Sequence, residues 1–169
     1  MPRWKKVFGD KFDNDIQGSG ADEFIFGRRG NDFIRGSDGN DWIKGGFGND
    51  RLNGSGGDDI VSGGPGDDVV FGSVGNDLLF GGQGNDLLSG DAGLNIMWGG
   101  PGDDVFFMFD QTVDNVNVIL DYREGDVVKI GSRSVAEVDD LGRDLLVTLD
   151  NGASMYFLKV KDFDDITFA

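Results

Sequence analysis

Cysteine and histidine are both absent from the 169 residues. Without cysteine there are no disulfides and no thiol chemistry. Without histidine there are no His-based zinc sites, no Ser–His or Cys–His nucleophile pairs, and not the commonest general base. Proline is scarce, at three residues, while glycine reaches 30. That much glycine would suit collagen or a disordered chain, but collagen repeats every three residues and here glycine recurs every nine. Positive charge is also short: 15 Lys and Arg against 31 Asp and Glu leave a formal net charge of −16. From Leu52 to Tyr122 there is no Lys or Arg at all. Such a chain repels other polyanions, which excludes nucleic acid as a partner. Clustered carboxylates suit a hard cation instead. No apolar run approaches the roughly 18 residues of a membrane-spanning helix. The start, Met1-Pro2-Arg3-Trp4-Lys5-Lys6, is basic, but no apolar stretch follows, so a cleavable secretory signal is not expected.

The chain does contain a repeat. Across Gly18–Phe107 a glycine-led unit of nine residues returns ten times, most cleanly as Gly81-Gly82-Gln83-Gly84-Asn85-Asp86-Leu87-Leu88-Ser89. Position 1 is always Gly, from Gly18 to Gly99. Position 6 is acidic in nine of ten copies: Glu23, Asp32, Asp41, Asp50, Asp59, Asp68, Asp77, Asp86 and Asp104, with Asn95 the exception. Position 8 is always apolar: Ile25, Ile34, Ile43, Leu52, Val61, Val70, Leu79, Leu88, Met97 and Phe106. At position 2, Ser and Gly alternate through most of the run, which makes the true period eighteen and places two units on each turn of a solenoid.

Elementary geometry turns this pattern into a structure. Glycine at positions 1 and 4 permits backbone shapes that a Cβ would forbid. Asn or Asp at position 5 tolerates left-handed conformations. In the short strand that follows, position 8 points inward and positions 7 and 9 outward. Ten units predict about five coils around a thin core of two facing position-8 rows. A core that thin leaves folding dependent on a further source of stability.

The unit resembles the RTX (repeats-in-toxin) nonapeptide G-G-x-G-x-D-x-U-x, a calcium-binding β-solenoid repeat. The resemblance implies an all-β, right-handed parallel β-roll with Ca2+ held between stacked loops. Calcium takes six to eight oxygens, more than one loop offers, so loops in successive coils must share each ion. On one edge the carboxylate pairs are Asp32/Asp50, Asp50/Asp68, Asp68/Asp86 and Asp86/Asp104; on the other they are Asp41/Asp59 and Asp59/Asp77. That makes about six complete sites. Weak or absent metal is expected at Glu23/Asp41, with its longer arm, and at Asp77/Asn95, which has lost a charge. The resemblance also implies backbone carbonyl ligands from positions 2 and 4 of the first loop and 1 and 3 of the second. These fall on Gly45, Gly46, Phe47, Gly48, Gly63, Gly64, Pro65, Gly66, Gly81, Gly82, Gln83, Gly84, Gly99 and Pro101 along one edge, and on Ser37, Gly39, Gly54, Ser55, Gly56, Gly57, Gly72 and Val74 along the other. Six such ions would bring −16 to −4. Catalytic residues are not expected. The family typically leaves the cell by type I secretion on an uncleaved C-terminal signal, which makes the expected location extracellular.

The flanks divide the chain into an N-terminal cap (1–17), in which Gly9–Gln17 is a degraded copy of the unit with Asn14 at position 6 and Ile16 at position 8, the roll (18–107) and a C-terminal β cap (108–169). Asp121-Tyr122-Arg123-Glu124-Gly125 lies between two apolar stretches and resembles the segment that follows RTX arrays. Asp150-Asn151-Gly152 between Asp144–Leu149 and Ser154–Leu158 is a hairpin signal. Asp164-Asp165-Ile166-Thr167-Phe168-Ala169 resembles the secretion-competent terminus of RTX proteases and lipases. Two outward surfaces stand out. Phe24, Trp42, Ile60, Leu78 and Ile96 form an apolar stripe that suits either a docking or self-association surface or, the favoured expectation, cover by the C-terminal segment. Arg35 and Arg51 near Phe33 and Asn53 suit either charge balance or an acidic polysaccharide, which would make the chain a carbohydrate-binding or surface-attachment module.

Overall fold

Each nine-residue unit makes one strand and one turn in the computed structural model, which describes residues 4–108, 115–130, 135–140, 144–149 and 152–158. The strands are β1 (Lys5–Phe8), β2 (Asp15–Gln17), β3 (Glu23–Arg29), β4 (Phe33–Asp38), β5 (Trp42–Phe47), β6 (Arg51–Gly56), β7 (Ile60–Pro65), β8 (Val69–Val74), β9 (Leu78–Gln83), β10 (Leu87–Ala92), β11 (Leu94–Trp98), β12 (Val105–Phe107), β13 (Val116–Ile119), β14 (Val127–Lys129), β15 (Val135–Asp140), β16 (Asp144–Leu149) and β17 (Ser154–Leu158). Odd strands β1 to β13 form one parallel sheet, extended by β17, β16 and β15; even strands β2 to β14 form the other. Trp42 pairs with Ile60 and Arg51 with Val69, an offset of eighteen residues. The expected all-β parallel roll with two units per coil is therefore the fold.

The core is the position-8 row. Its ten members from Ile25 to Phe106 are each at most 1% exposed. Strand alternation produces this, since flanking positions 7 and 9 face out. The row runs further than the glycine-led units: Ile16 precedes it, and Ile119 and Val128 follow it. Among the described residues the stack accordingly runs to seven coils, β1/β2 to β13/β14, where five were expected of the ten units in 18–107. The flanks lack the glycine pattern but keep the inward apolar residue, and that residue is what pairs and packs. Thirteen residues separate Phe106 from Ile119 in place of nine, so the register lengthens to twenty-two, with Leu94 opposite Val116 and Val105 opposite Val127.

Beyond the parallel coils, β17 joins β13 in parallel and returns through an antiparallel hairpin to β16, which pairs with β15. The hairpin turns on Gly152, at φ +88°, and Leu149 N–H donates to Ala153 O at 2.9 Å. Asp150 and Asn151 lie outside the described residues, as do Met1–Arg3 and the tail Asp164–Ala169. These C-terminal strands continue the odd sheet in its own plane. They do not cover the apolar stripe, contrary to expectation: Trp42 is 47% exposed, and Ile60 and Ile96 are each 37% exposed. Among the described residues, no helix is long and apolar enough to cross a membrane.

Candidate metal ladder

Position 6 falls just before each strand, so successive coils stack these side chains into two rows. On one edge Asp32 N–H donates to Asp50 Oδ1, Asp50 N–H to Asp68 Oδ1 and Asp68 N–H to Asp86 Oδ1, each at 2.7 Å; Asp86 N–H donates to Asp104 Oδ1 at 2.9 Å. On the other edge Asp41 N–H donates to Asp59 Oδ1 (2.7 Å) and Asp59 N–H to Asp77 Oδ1 (2.9 Å). One oxygen of each carboxylate therefore ties its coil to the one before. Position 5 makes the reciprocal tie. Asp67 N–H donates to Asn49 Oδ1 (3.0 Å), Asn85 N–H to Asp67 Oδ1 (2.8 Å) and Asp103 N–H to Asn85 Oδ1 (2.9 Å). The expected left-handed backbone at position 5 is not found: none of the described position-5 residues has positive φ. Asn and Asp are there for their side-chain oxygen.

The second carboxylate oxygen is the unusual atom. Oδ2 of Asp32, Asp41, Asp50, Asp59, Asp68, Asp77, Asp86 and Asp104 is buried and has no hydrogen-bond partner. These eight residues are at most 2% exposed. Leaving a carboxylate dry and half-paired is costly. Burial pushes Asp59, Asp68 and Asp86 up to about 7, with neighbouring carboxylates adding to the effect and the backbone N–H donors opposing it. Asp41, Asp50, Asp77 and Asp104 rise to about 6, again chiefly through burial.

Position-1 glycine makes room for that oxygen. A Cβ on Gly45 would fall within 3 Å of both Asp50 Oδ2 and the Gly63 carbonyl oxygen; on Gly63 it would meet Asp68 Oδ2 and the Gly81 carbonyl. Gly36 stands likewise against Asp41 Oδ2 and the Gly54 carbonyl. The glycine is therefore required for space and not for backbone shape, since φ is left-handed at positions 2 and 4 instead. Position 2 holds this conformation even where it is not glycine: Ser37, Ser55 and Ser73 lie at φ +82°, +85° and +80°.

A dry row of unpaired anionic oxygens, with a main-chain carbonyl of the next coil crowding the same glycine at Asp32, Asp41, Asp50, Asp68 and Asp86, fits a hard divalent cation. Among the described residues no three carboxylates gather at one point, so carbonyls must complete any shell. The row ends differ. Glu23 has both oxygens engaged, by Lys5 and Ser19. Asp77 N–H donates to the neutral Asn95 at 3.0 Å. Asp126, outside the residues expected from the repeat, continues the Asp104 row: its Oδ1 accepts from Asp104 N–H and its Oδ2 from Arg123 N–H, both at 2.9 Å. The Gly-Asp-Val-Val run at 125–128 carried that signal, displaced by the lengthened register.

A parallel roll edged by two such rows is a cation-binding solenoid module. Residues 6–34, 35–70 and 71–106 match the family model of the RTX calcium-binding nonapeptide repeat. The chain belongs to that family, and its cation is calcium. Among the solved structures that resemble it are the following two. Extracellular lipase LipA from Serratia marcescens does so at 14% identity and a TM-score of 0.30, over 100% of this chain and 41% of the lipase. The AlgE6R3 subunit of the Azotobacter vinelandii mannuronan C5-epimerase does so at 20% identity and a TM-score of 0.27, over 100% of this chain and 86% of that one. This chain thus spans about two fifths of the lipase. No curated protein matches it.

Proposed function

We propose that the chain is a secreted calcium-binding RTX module that takes up about six calcium ions between stacked loops and folds on binding them after export. The observation that carries this reading is the set of eight buried, partnerless Oδ2 atoms. The ions sit at Asp32/Asp50, Asp50/Asp68, Asp68/Asp86, Asp86/Asp104, Asp41/Asp59 and Asp59/Asp77. The loop carbonyls named from the sequence complete each shell. Oδ1 stays on the neighbouring coil's N–H while Oδ2 faces the ion, so one carboxylate fixes the register and neutralises charge at once. In this role the chain has no catalytic machinery of its own.

Extracellular modules bind calcium near 10⁻⁴–10⁻³ M, which leaves them empty in the cytosol and loaded outside. A ligand that binds only the folded state stabilises it. Export through a type I channel would therefore precede folding. Far-UV circular dichroism of EDTA-treated protein, titrated with calcium and with magnesium as control, tests this. A cooperative rise in β signal at about 0.1–1 mM calcium, absent with magnesium, is expected. A chain already folded in EDTA and indifferent to calcium would end the folding-switch reading.

A second reading, attachment to an acidic polysaccharide or cell surface, draws on a hollow of about 380 Å³ lined by Trp4, Lys6, Phe24 and Trp42. Arg35 supports it less, being engaged by Phe33 at 4.5 Å and Asp15 at 3.5 Å. Calcium-dependent retention on a polygalacturonate column, lost in Trp42→Ala, is the result this reading requires.

A further inference from the structure

The acid row on the Asp41 edge does not begin with an acid. Strand register sets Lys5 opposite Glu23, and Glu23 N–H donates to Asp41 Oδ1 one coil further on. Lys5, Glu23 and Asp41 are thus eighteen residues apart, and Lys5 stands where the row would otherwise hold a carboxylate. Its Nζ donates to Glu23 Oε1 at 2.7 Å and to Ser19 Oγ at 3.4 Å. Ser19 supplies the remaining donors, Oγ to Oε1 at 2.6 Å and N–H to Oε2 at 2.7 Å. Glu23 is fully buried, while the Lys5 side chain is 59% exposed and approaches from the open end of the roll. Both Glu23 oxygens therefore have donors, which is true of none of the eight Asp from Asp32 to Asp104 with an unpartnered Oδ2. A buried carboxylate needs a counter-charge. A lysine ammonium is a compact one on a flexible stem, and the extra methylene of Glu over Asp lets the two meet.

We propose that Lys5 is a built-in replacement for a metal ion: its ammonium neutralises Glu23, closes this end of the row without calcium, and makes Asp41 the first calcium ligand on that edge. The inference rests on the ladder reading above. It makes Lys5 a specificity-determining residue, because it excludes calcium from a carboxylate that otherwise keeps the repeat's acidic position.

Equilibrium dialysis with radioactive calcium at saturation tests it on the full chain, with circular dichroism confirming that each variant is folded. Glu23→Gln is expected to bind as many ions as wild type, whereas Asp59→Asn, which enters two pairs, binds fewer. In parallel, acetylation of the lysine amines followed by mass spectrometry is expected to modify Lys5 several-fold more slowly in wild type than in Glu23→Gln. Loss of an ion in Glu23→Gln overturns the proposal, as does equal acetylation of Lys5 in the two proteins. If Asp59→Asn loses no ion, the ladder reading fails and takes the calcium part of this proposal with it. The acetylation ratio still reports on the Lys5–Glu23 pair in that event, so the two failures are distinguishable.

Discussion

At the scale of single residues, the same side chain changes sign with the metal. Asp68 belongs to two pairs and is dry in the fold. If the ions sit as proposed, Asp68→Asn in calcium removes a charged ligand from both neighbouring sites. At a hundredfold excess over Kd each lost ion costs about 2.7 kcal/mol, so the calcium-loaded variant should melt well below wild type. In EDTA at pH 8 the same change removes a carboxylate that burial opposes, so the metal-free variant should be the more structured of the two. Asn95 shows that an amide keeps the ladder hydrogen bond in this row, since its Oδ1 accepts from Asp77 N–H. Thermal melts of both proteins with and without calcium read the crossing; parallel shifts in one direction would contradict it. Gly63→Ala makes a sharper cut. Its Cβ would land on Asp68 Oδ2 and the Gly81 carbonyl. Overpacking of this kind costs about 1–3 kcal/mol, and the displaced oxygen should also weaken calcium binding at that loop. Calcium titrations of the variant should show a raised midpoint; an unchanged one would mean that the space over glycine is not where the ion sits.

At the scale of the coil, pH and calcium act on the same oxygens. The ladder carboxylates have folded-state values raised to about 6 or 7 in the metal-free protein. A raised carboxylate value means that the stability of the metal-free roll is present at low pH and is lost as pH rises through that value. Between about pH 4 and 7, from the ordinary carboxylate value up to these raised ones, the metal-free roll should therefore weaken, while calcium, which needs the deprotonated form, should bind more tightly. Calcium midpoints measured across this range should fall as pH rises; a midpoint that is flat with pH would place the ions elsewhere. Much of this coil was legible beforehand. The position-8 row and the Asp rows follow from spacing alone, and the alternation of Ser and Gly at position 2 correctly announced an eighteen-residue turn. Its conformational meaning was not legible, because Ser55 and Gly64 adopt the same left-handed φ. The flanking coils were hidden for a related reason. Ile16 was legible, at position 8 of the degraded copy Gly9–Gln17, but Val7, Ile119 and Val128 keep the inward apolar position without the repeat's glycines, and the insertion after Phe106 breaks the period. Lys5 could not be seen as part of an acid row until strand pairing put it there.

At the scale of the whole molecule, charge is segregated along the stack. Residues 1–51 hold nine cations and nine acids, whereas Leu52–Tyr122 holds twelve acids and no cation. The aromatic rings of the first coils are covered by their own cations, with Arg28 over Phe8 at 5.2 Å, Lys44 over Phe26 at 5.6 Å and Arg29 over Phe47 at 5.7 Å. The middle coils, without Lys or Arg from Leu52 to Tyr122, have no such internal compensation, and on the proposed reading calcium supplies it. Two forces oppose them without metal, mutual repulsion and loss of water around each carboxylate, and salt separates the two. At 1 M monovalent salt the screening length falls to about 3 Å, which removes most repulsion between exposed charges. Screening does not rehydrate a buried oxygen or give it a partner. Burial, ahead of neighbouring charge, is the larger cause of the raised values at Asp59, Asp68 and Asp86. Sodium chloride at 1 M should therefore restore only a minor part of the β signal to EDTA-treated protein, whereas calcium at about 1 mM, the upper end for extracellular sites, restores it fully. Full recovery in sodium chloride alone would mean that repulsion, not the unpartnered oxygen, keeps the metal-free chain open. The proposed sites would then supply counter-charge alone.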